Sequence, residues 1–146
     1  MTRDVVERFF RYVKIDTQSK EDVEDDYPST RKQFDLLHLL VDELKRMGLQ
    51  DIDMDTYGYV TATLPSNLPG GKGAPTIGFL AHVDTSPEAS GEGVNPVIHE
   101  NYQGGKIVIN AGKDLILDPE ENPVLKDNIG NDIIVAAMVF HDPVHH

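Results

Sequence analysis

The residues of this chain best suited to do chemistry are His82 and Asp84, near the end of the stretch T-I-G-F-L-A-H-V-D-T, Thr76 to Thr85. Ile77, Gly78, Phe79, Leu80 and Ala81 form an apolar run that predicts a buried strand, and the polar side chains arrive together at its C-terminal end. Open α/β sheets build their sites at such ends. Residues two apart on a strand share a face, so His82 and Asp84 are expected side by side. A histidine that ligates a metal through one ring nitrogen can donate from the other to a carboxylate, which fixes its tautomer and raises its basicity. An H-x-D pattern is short, however, and a hydrogen-bonded structural histidine satisfies it equally well.

Composition narrows the chemistry. The 146 residues carry 13 basic and 25 acidic side chains, a net charge of −12. That balance, with no basic run, argues against nucleic acid and against an acidic membrane surface as partners. No apolar run approaches the ~20 residues that span a bilayer. The start M-T-R-D-V-V-E-R is acidic where a signal peptide is basic and then apolar. Cysteine is absent, which excludes disulfides and thiolate zinc sites; a metal here must be held by histidine and carboxylate. The expectation is a cytoplasmic protein.

The elements that must position the pair follow from periodicity. Val5, Val6, Phe9, Phe10 and Val13 recur at helical spacing, predicting a helix over Thr2 to Val13. Lys14 to Pro28 reads as a polar connection whose acidic run, Glu21, Asp22, Glu24, Asp25 and Asp26, is a solvated loop rather than a cation site. Thr30 and Gln33 fit a capping box ahead of a second helix with the stripe Phe34, Leu37, Leu40, Val41 and Leu44, ended by Gly48; His38 is read as a partly buried helix residue. Ile52 to Asp55 and Tyr59 to Leu64, joined at Tyr57-Gly58, predict a hairpin, and Pro65 to Pro75 a surface loop that includes Gly73. Short strands are expected at Val94 to His99, Lys106 to Asn110 and Leu115 to Leu117, the last two paired. A short helix is expected within Pro119 to Lys126, and an apolar run at Ile133 to Phe140. The fold class is α/β: a mixed sheet centred on Thr76 to Val83 with flanking helices.

Several segments together carry a family resemblance: R-Y-V-K-I-D-T-Q-S (Arg11 to Ser19), P-S-T (Pro28 to Thr30), L-K-R-M-G-L (Leu44 to Leu49), G-Y-V-T-A-T-L-P (Gly58 to Pro65), T-I-G-F-L-A-H-V-D-T-S-P (Thr76 to Pro87) and G-V-N-P-V-I-H-E-N-Y-Q-G-G (Gly93 to Gly105). In this order and spacing the chain resembles the tripeptide aminopeptidases of the M20 family of dizinc metallopeptidases. The resemblance implies that His82 is a zinc ligand and Asp84 the supporting catalytic carboxylate. It implies two zincs per complete enzyme, a metal-generated hydroxide with a Glu moving the proton, and tripeptides as substrates. It allows a homodimer for the complete enzyme.

The likeness runs to about Val135. The family continues into a stretch whose Asp bridges the two metals, whereas here A-A-M-V-F-H-D-P-V-H-H follows. The expected organisation is therefore 1–135 as the N-terminal part of an M20-type catalytic domain and 136–146 as a non-family tail from a frameshifted or truncated gene. Asp118, Glu120, Glu121 and Asp127 show no spacing that aims them at His82. In the tail, Pro143 disfavours the helix that would bring His141 and His145 together beside Asp142 and His146. A catalytic zinc needs about three protein ligands and a water, so the fragment is expected to be inactive alone, marginally stable and prone to self-association. The alternative is a non-catalytic α/β binding module.

Overall fold

The computed structural model describes residues 3–71, 74–110 and 115–138. Thr2, Gly73 and the tail residues His141, Asp142, Pro143, His145 and His146 lie outside the described residues. The chain divides into two compact units, Asp16–Ser90 and a second made of residues 1–15 and 91–146. Helices and small antiparallel sheets make the chain mixed α and β, in keeping with the expected α/β class.

In the Asp16–Ser90 unit, helix α2 (Gln33–Arg46) packs on the hairpin of β1 (Gln50–Met54) and β2 (Val60–Thr63). The buried face of α2 carries Gln33, Leu36, Leu37 and Glu43, so its stripe includes Leu36 beside the expected Leu37. Gly48 follows the helix at φ 79°, the left-handed cap predicted for it. The hairpin turn is made by Asp55, whose carboxylate Oδ1 accepts from the Tyr57 and Tyr59 amides at 2.9 and 2.8 Å. Gly58 takes φ 84° there, and a Cβ at that position would lie 2.9 Å from Leu37 Cδ1, so the turn and the helix face interlock.

The N-terminus of α2 departs from the capping-box expectation. The Gln33 and Thr30 side chains do meet, Nε2 donating to Oγ1 at 3.1 Å. The helix nevertheless starts at Gln33 with Lys32 in the cap position, and no side chain caps it. The Thr30 hydroxyl instead accepts from the Gln33 side chain and donates to Gln18 O at 2.8 Å. His38 is exposed rather than partly buried; its Nδ1 lies 2.7 Å from Phe34 O.

The central strand is where expectation and structure part. Thr76 to His82 belongs to no strand, and its apolar side chains are bare: Ile77 is 72% exposed, Phe79 95% and Leu80 101%. A strand meant for burial on both faces needs a hydrogen-bonded neighbour along each edge and cover above and below. Among the described residues the strands instead form three two-stranded antiparallel sheets, and no single sheet forms around Thr76 to Val83.

In the other unit, α1 spans Arg3–Tyr12 and buries none of its residues. β3 (Val94–His99) pairs with β6 (Ile133–Met138), a partnership not expected from the sequence, and β4 (Ile107–Asn110) with β5 (Leu115–Leu117), as expected. The core is Tyr102, Ile107 and Leu125, with Leu117, Ile133 and Val135 packed against it. Leu125 is supplied by a 3₁₀ segment, Pro123–Asn128, where a short helix was expected. The turn around Tyr102 is tied across to residues 130–132: the Tyr102 amide donates to Asn131 O at 2.8 Å and the Asn101 amide to Asp132 Oδ1 at 2.9 Å. β6 continues through Ala136 and Met138 opposite Pro96 and Val94.

Candidate functional site

His82 and Asp84 stand next to each other on the extended chain that leaves the bare apolar stretch. His82 Nδ1 lies 3.0 Å from Asp84 Oδ1 and 3.0 Å from the Asp84 carbonyl oxygen. Both neighbours are acceptors, so Nδ1 is the donor and, in the neutral ring, the lone pair resides on Nε2. The His82 side chain is 85% exposed, which leaves Nε2 open to a ligand. This is the arrangement in which a carboxylate orients a metal-binding imidazole.

The pair offers one imidazole with a carboxylate beside it. Among the described residues, no group of three or more His, Cys, Asp or Glu side chains could hold an ion, and a catalytic zinc takes about three protein ligands. The other carboxylates singled out from the sequence include two engaged elsewhere: Asp118 pairs with Lys106 at 2.8 Å and Glu120 with Lys126 at 2.7 Å. The hydrogen bond from Lys106, first among its causes, holds the Asp118 carboxyl below the usual carboxylate range.

The loop that follows Asp84 is anchored by residues that sequence reasoning passed over as a polar connection. Thr85 forms an isolated parallel bridge with Gln18. Its amide donates to Thr17 O at 3.1 Å, and its carbonyl accepts from the Ser19 amide at 2.9 Å and the Ser19 hydroxyl at 2.8 Å. Gln18 Nε2 donates to Pro87 O at 2.8 Å. Behind Gln18, Lys32 Nζ reaches both Gln18 Oε1 at 3.2 Å and Asp16 Oδ2 at 2.7 Å, while Asp16 Oδ1 accepts from the Gln18 amide at 3.0 Å. The one signal in the sequence was the polar cluster D-T-Q-S; nothing in it pointed to a partner 69 residues away.

Partial burial raises the Asp16 carboxyl, but the hydrogen bond from Lys32, the Gln18 amide and the Lys32 charge together outweigh it and hold the group below its usual range. A carboxyl lowered in the folded state adds stability that is present above its unfolded value, about 3.9. That stability is lost as pH falls through the lower folded value. Urea melts at pH 7 and pH 3 should therefore show a larger acid loss for the parent chain than for Asp16→Asn. Equal losses would show that the Asp16 pair contributes nothing to stability.

Comparison with known proteins gives the class first: over about nine-tenths of its length this is peptidase-like sequence. The relatives it resembles are peptidase T proteins. The chain is 52% identical to a peptidase T of Alkaliphilus oremlandii over 134 residues, 92% of this chain and 32% of that protein. It is 48% identical to that of Geobacillus thermodenitrificans over 136 residues, 93% and 32% of the two chains. It is 52% identical to that of Halothermothrix orenii over 132 residues, 90% and 32%. The chain thus spans about a third of the length of the curated relatives it matches. No family model matches it. Among the described residues, no helix is long and apolar enough to cross a membrane.

Proposed function

We propose that this chain is the N-terminal part of a peptidase T-type catalytic domain, one that removes the N-terminal residue from tripeptides with zinc. The observation that carries the reading is identity near one half across nine-tenths of the chain, with the H-x-D pair inside the matching stretch. In this reading His82 is a zinc ligand and Asp84 orients its ring. Residues 1–135 make the family part and 136–146 the departing tail. The protein works in the cytoplasm, and the isolated chain self-associates through the bare stretch from Ile77 to Leu80. The second reading, a non-catalytic α/β binding module, is favoured by the lack of a three-ligand group among the described residues.

Two experiments test this. A chimera in which the chain replaces the corresponding third of the Alkaliphilus oremlandii relative should hydrolyse an unblocked tripeptide and lose that activity with His82→Ala. A folded but inactive chimera favours the binding module. The chain alone should retain well under one zinc after dialysis and show no turnover; two zincs with turnover would overturn the incomplete-site reading.

A further inference from the structure

We propose that Gln18 is a positioning residue: braced by Lys32 and Asp16, its side chain holds the Thr85–Pro87 loop and thereby keeps Asp84 aligned on the His82 ring. The inference rests on reading His82 and Asp84 as the working pair, and it adds a residue that the H-x-D pattern does not contain.

The geometry carries it. His82 and Asp84 sit on a segment that no sheet supports, so the direction of the Asp84 carboxylate is set by where the chain is next held. That point is Thr85, one residue on, with its amide and carbonyl both bonded to residues 17–19. Backbone bonds alone would fix Thr85 but leave the chain beyond it free to turn. Gln18 adds the second point, Pro87 O, two residues further. Two anchors on one short stretch define its orientation as well as its position.

Gln18 is itself immobilised. Its amide is held by Asp16 Oδ1, its carbonyl by the Thr30 hydroxyl and its side-chain Oε1 by Lys32. Gln33 Nε2 in turn donates to Thr30 Oγ1 from the first turn of α2. The brace therefore runs from the start of α2, through Thr30 and Lys32, to Gln18 and the loop after Asp84. Two of the bonds fix the Gln18 backbone, and two involve its side-chain amide, which presents its donor to Pro87 and its acceptor to Lys32.

That polarity supplies the test. Gln18→Glu keeps the length of the side chain and an acceptor for Lys32, but at pH 7 has no donor for Pro87 O. Gln18 borders an open cavity of about 390 Å³, so the new carboxylate keeps its hydration. Two readouts are followed by NMR: the ring nitrogen shifts of His82, which report the Nδ1–H tautomer, and amide exchange at Thr85. In Gln18→Glu, Thr85 exchange should accelerate about tenfold. The His82 shifts should move toward those of Asp84→Ala, in which the ring has lost its carboxylate.

A role confined to stability would lower the melting temperature and leave the ring shifts unchanged, which overturns the proposal. If Asp84→Ala itself leaves the ring shifts unchanged, the Asp84 carbonyl holds the ring without the carboxylate, and the reading of Asp84 as its orienting group falls. If Asp84→Ala moves them and Gln18→Glu does not, only the positioning role is lost. Should Gln18→Glu fail to fold, Gln18→Met removes the donor to Pro87 O without adding a charge. A movement in the same direction supports the proposal, and none overturns it.

Discussion

Phe79→Ser combined with Leu80→Ser should keep the chain monomeric at concentrations where the parent associates. The two side chains are 95% and 101% exposed, and Ile77 beside them is 72% exposed. Thr76 to Ala81 carries no charge and no proline, and its backbone belongs to no strand. Such a segment offers a second copy both unpaired backbone groups and apolar cover. Fully burying a Phe or Leu side chain is worth about 1.5–3 kcal/mol. Covering half of each would strengthen association by roughly tenfold to a hundredfold at 1.4 kcal/mol per decade. Serine leaves the net charge of −12 unchanged, so the loss would report apolar contact alone. That charge opposes association, and salt screens it; the parent should therefore associate more strongly as salt rises. Sedimentation over a range of concentrations decides the matter. A parent that stays monomeric throughout, with a sharp melt independent of concentration, would rule out self-association by this stretch.

The second large effect is on the unit that carries the candidate pair. Leu37 is 3% exposed and reaches the Gly58 turn from α2. Leu37→Ala removes its burial and leaves a cavity, which costs about 2–5 kcal/mol in well-packed cores. Whole-domain stabilities are about 5–15 kcal/mol, so the variant should lose a large share of the stability of the Asp16–Ser90 unit. Val124, 70% exposed in the other unit, is the control: Val124→Ala should stay within about 0.5 kcal/mol of the parent. Urea unfolding followed by hydrogen exchange assigns the loss to a unit. A Leu37→Ala midpoint equal to that of Val124→Ala would show that the α2–hairpin interface is not a stabilising core.

Much of the local structure was legible because its causes are local. Gly48 ends α2 since a left-handed residue was needed there. Asp55, Tyr57 and Gly58 make the hairpin turn within five residues of chain. The apolar runs at 94–99, 107–110, 115–117 and 133–138 became strands. The His82–Asp84 contact is of the same kind, since two residues on an extended chain are within reach whatever surrounds them.

Other features depended on partners distant in sequence. The apolar run at Thr76 to Ala81 states a need for burial but does not contain the neighbours that would meet it, and the described chain leaves it bare. Thr30 matched a capping box by its spacing, yet its hydroxyl oxygen meets the Gln33 side chain rather than a helix amide, and it donates to a Gln18 carbonyl that the fold brings within 2.8 Å. The D-T-Q-S cluster read as a solvated connection until the tertiary structure set it against Thr85 and Pro87. By itself the sequence determined the elements, the family likeness and the H-x-D pair, all of which are written in neighbouring residues. The tertiary structure alone decided that the run at 76–81 stays outside the strands and that residues 17–19 hold Thr85 and Pro87, because hydrogen bonds and burial are satisfied by whichever groups folding brings together.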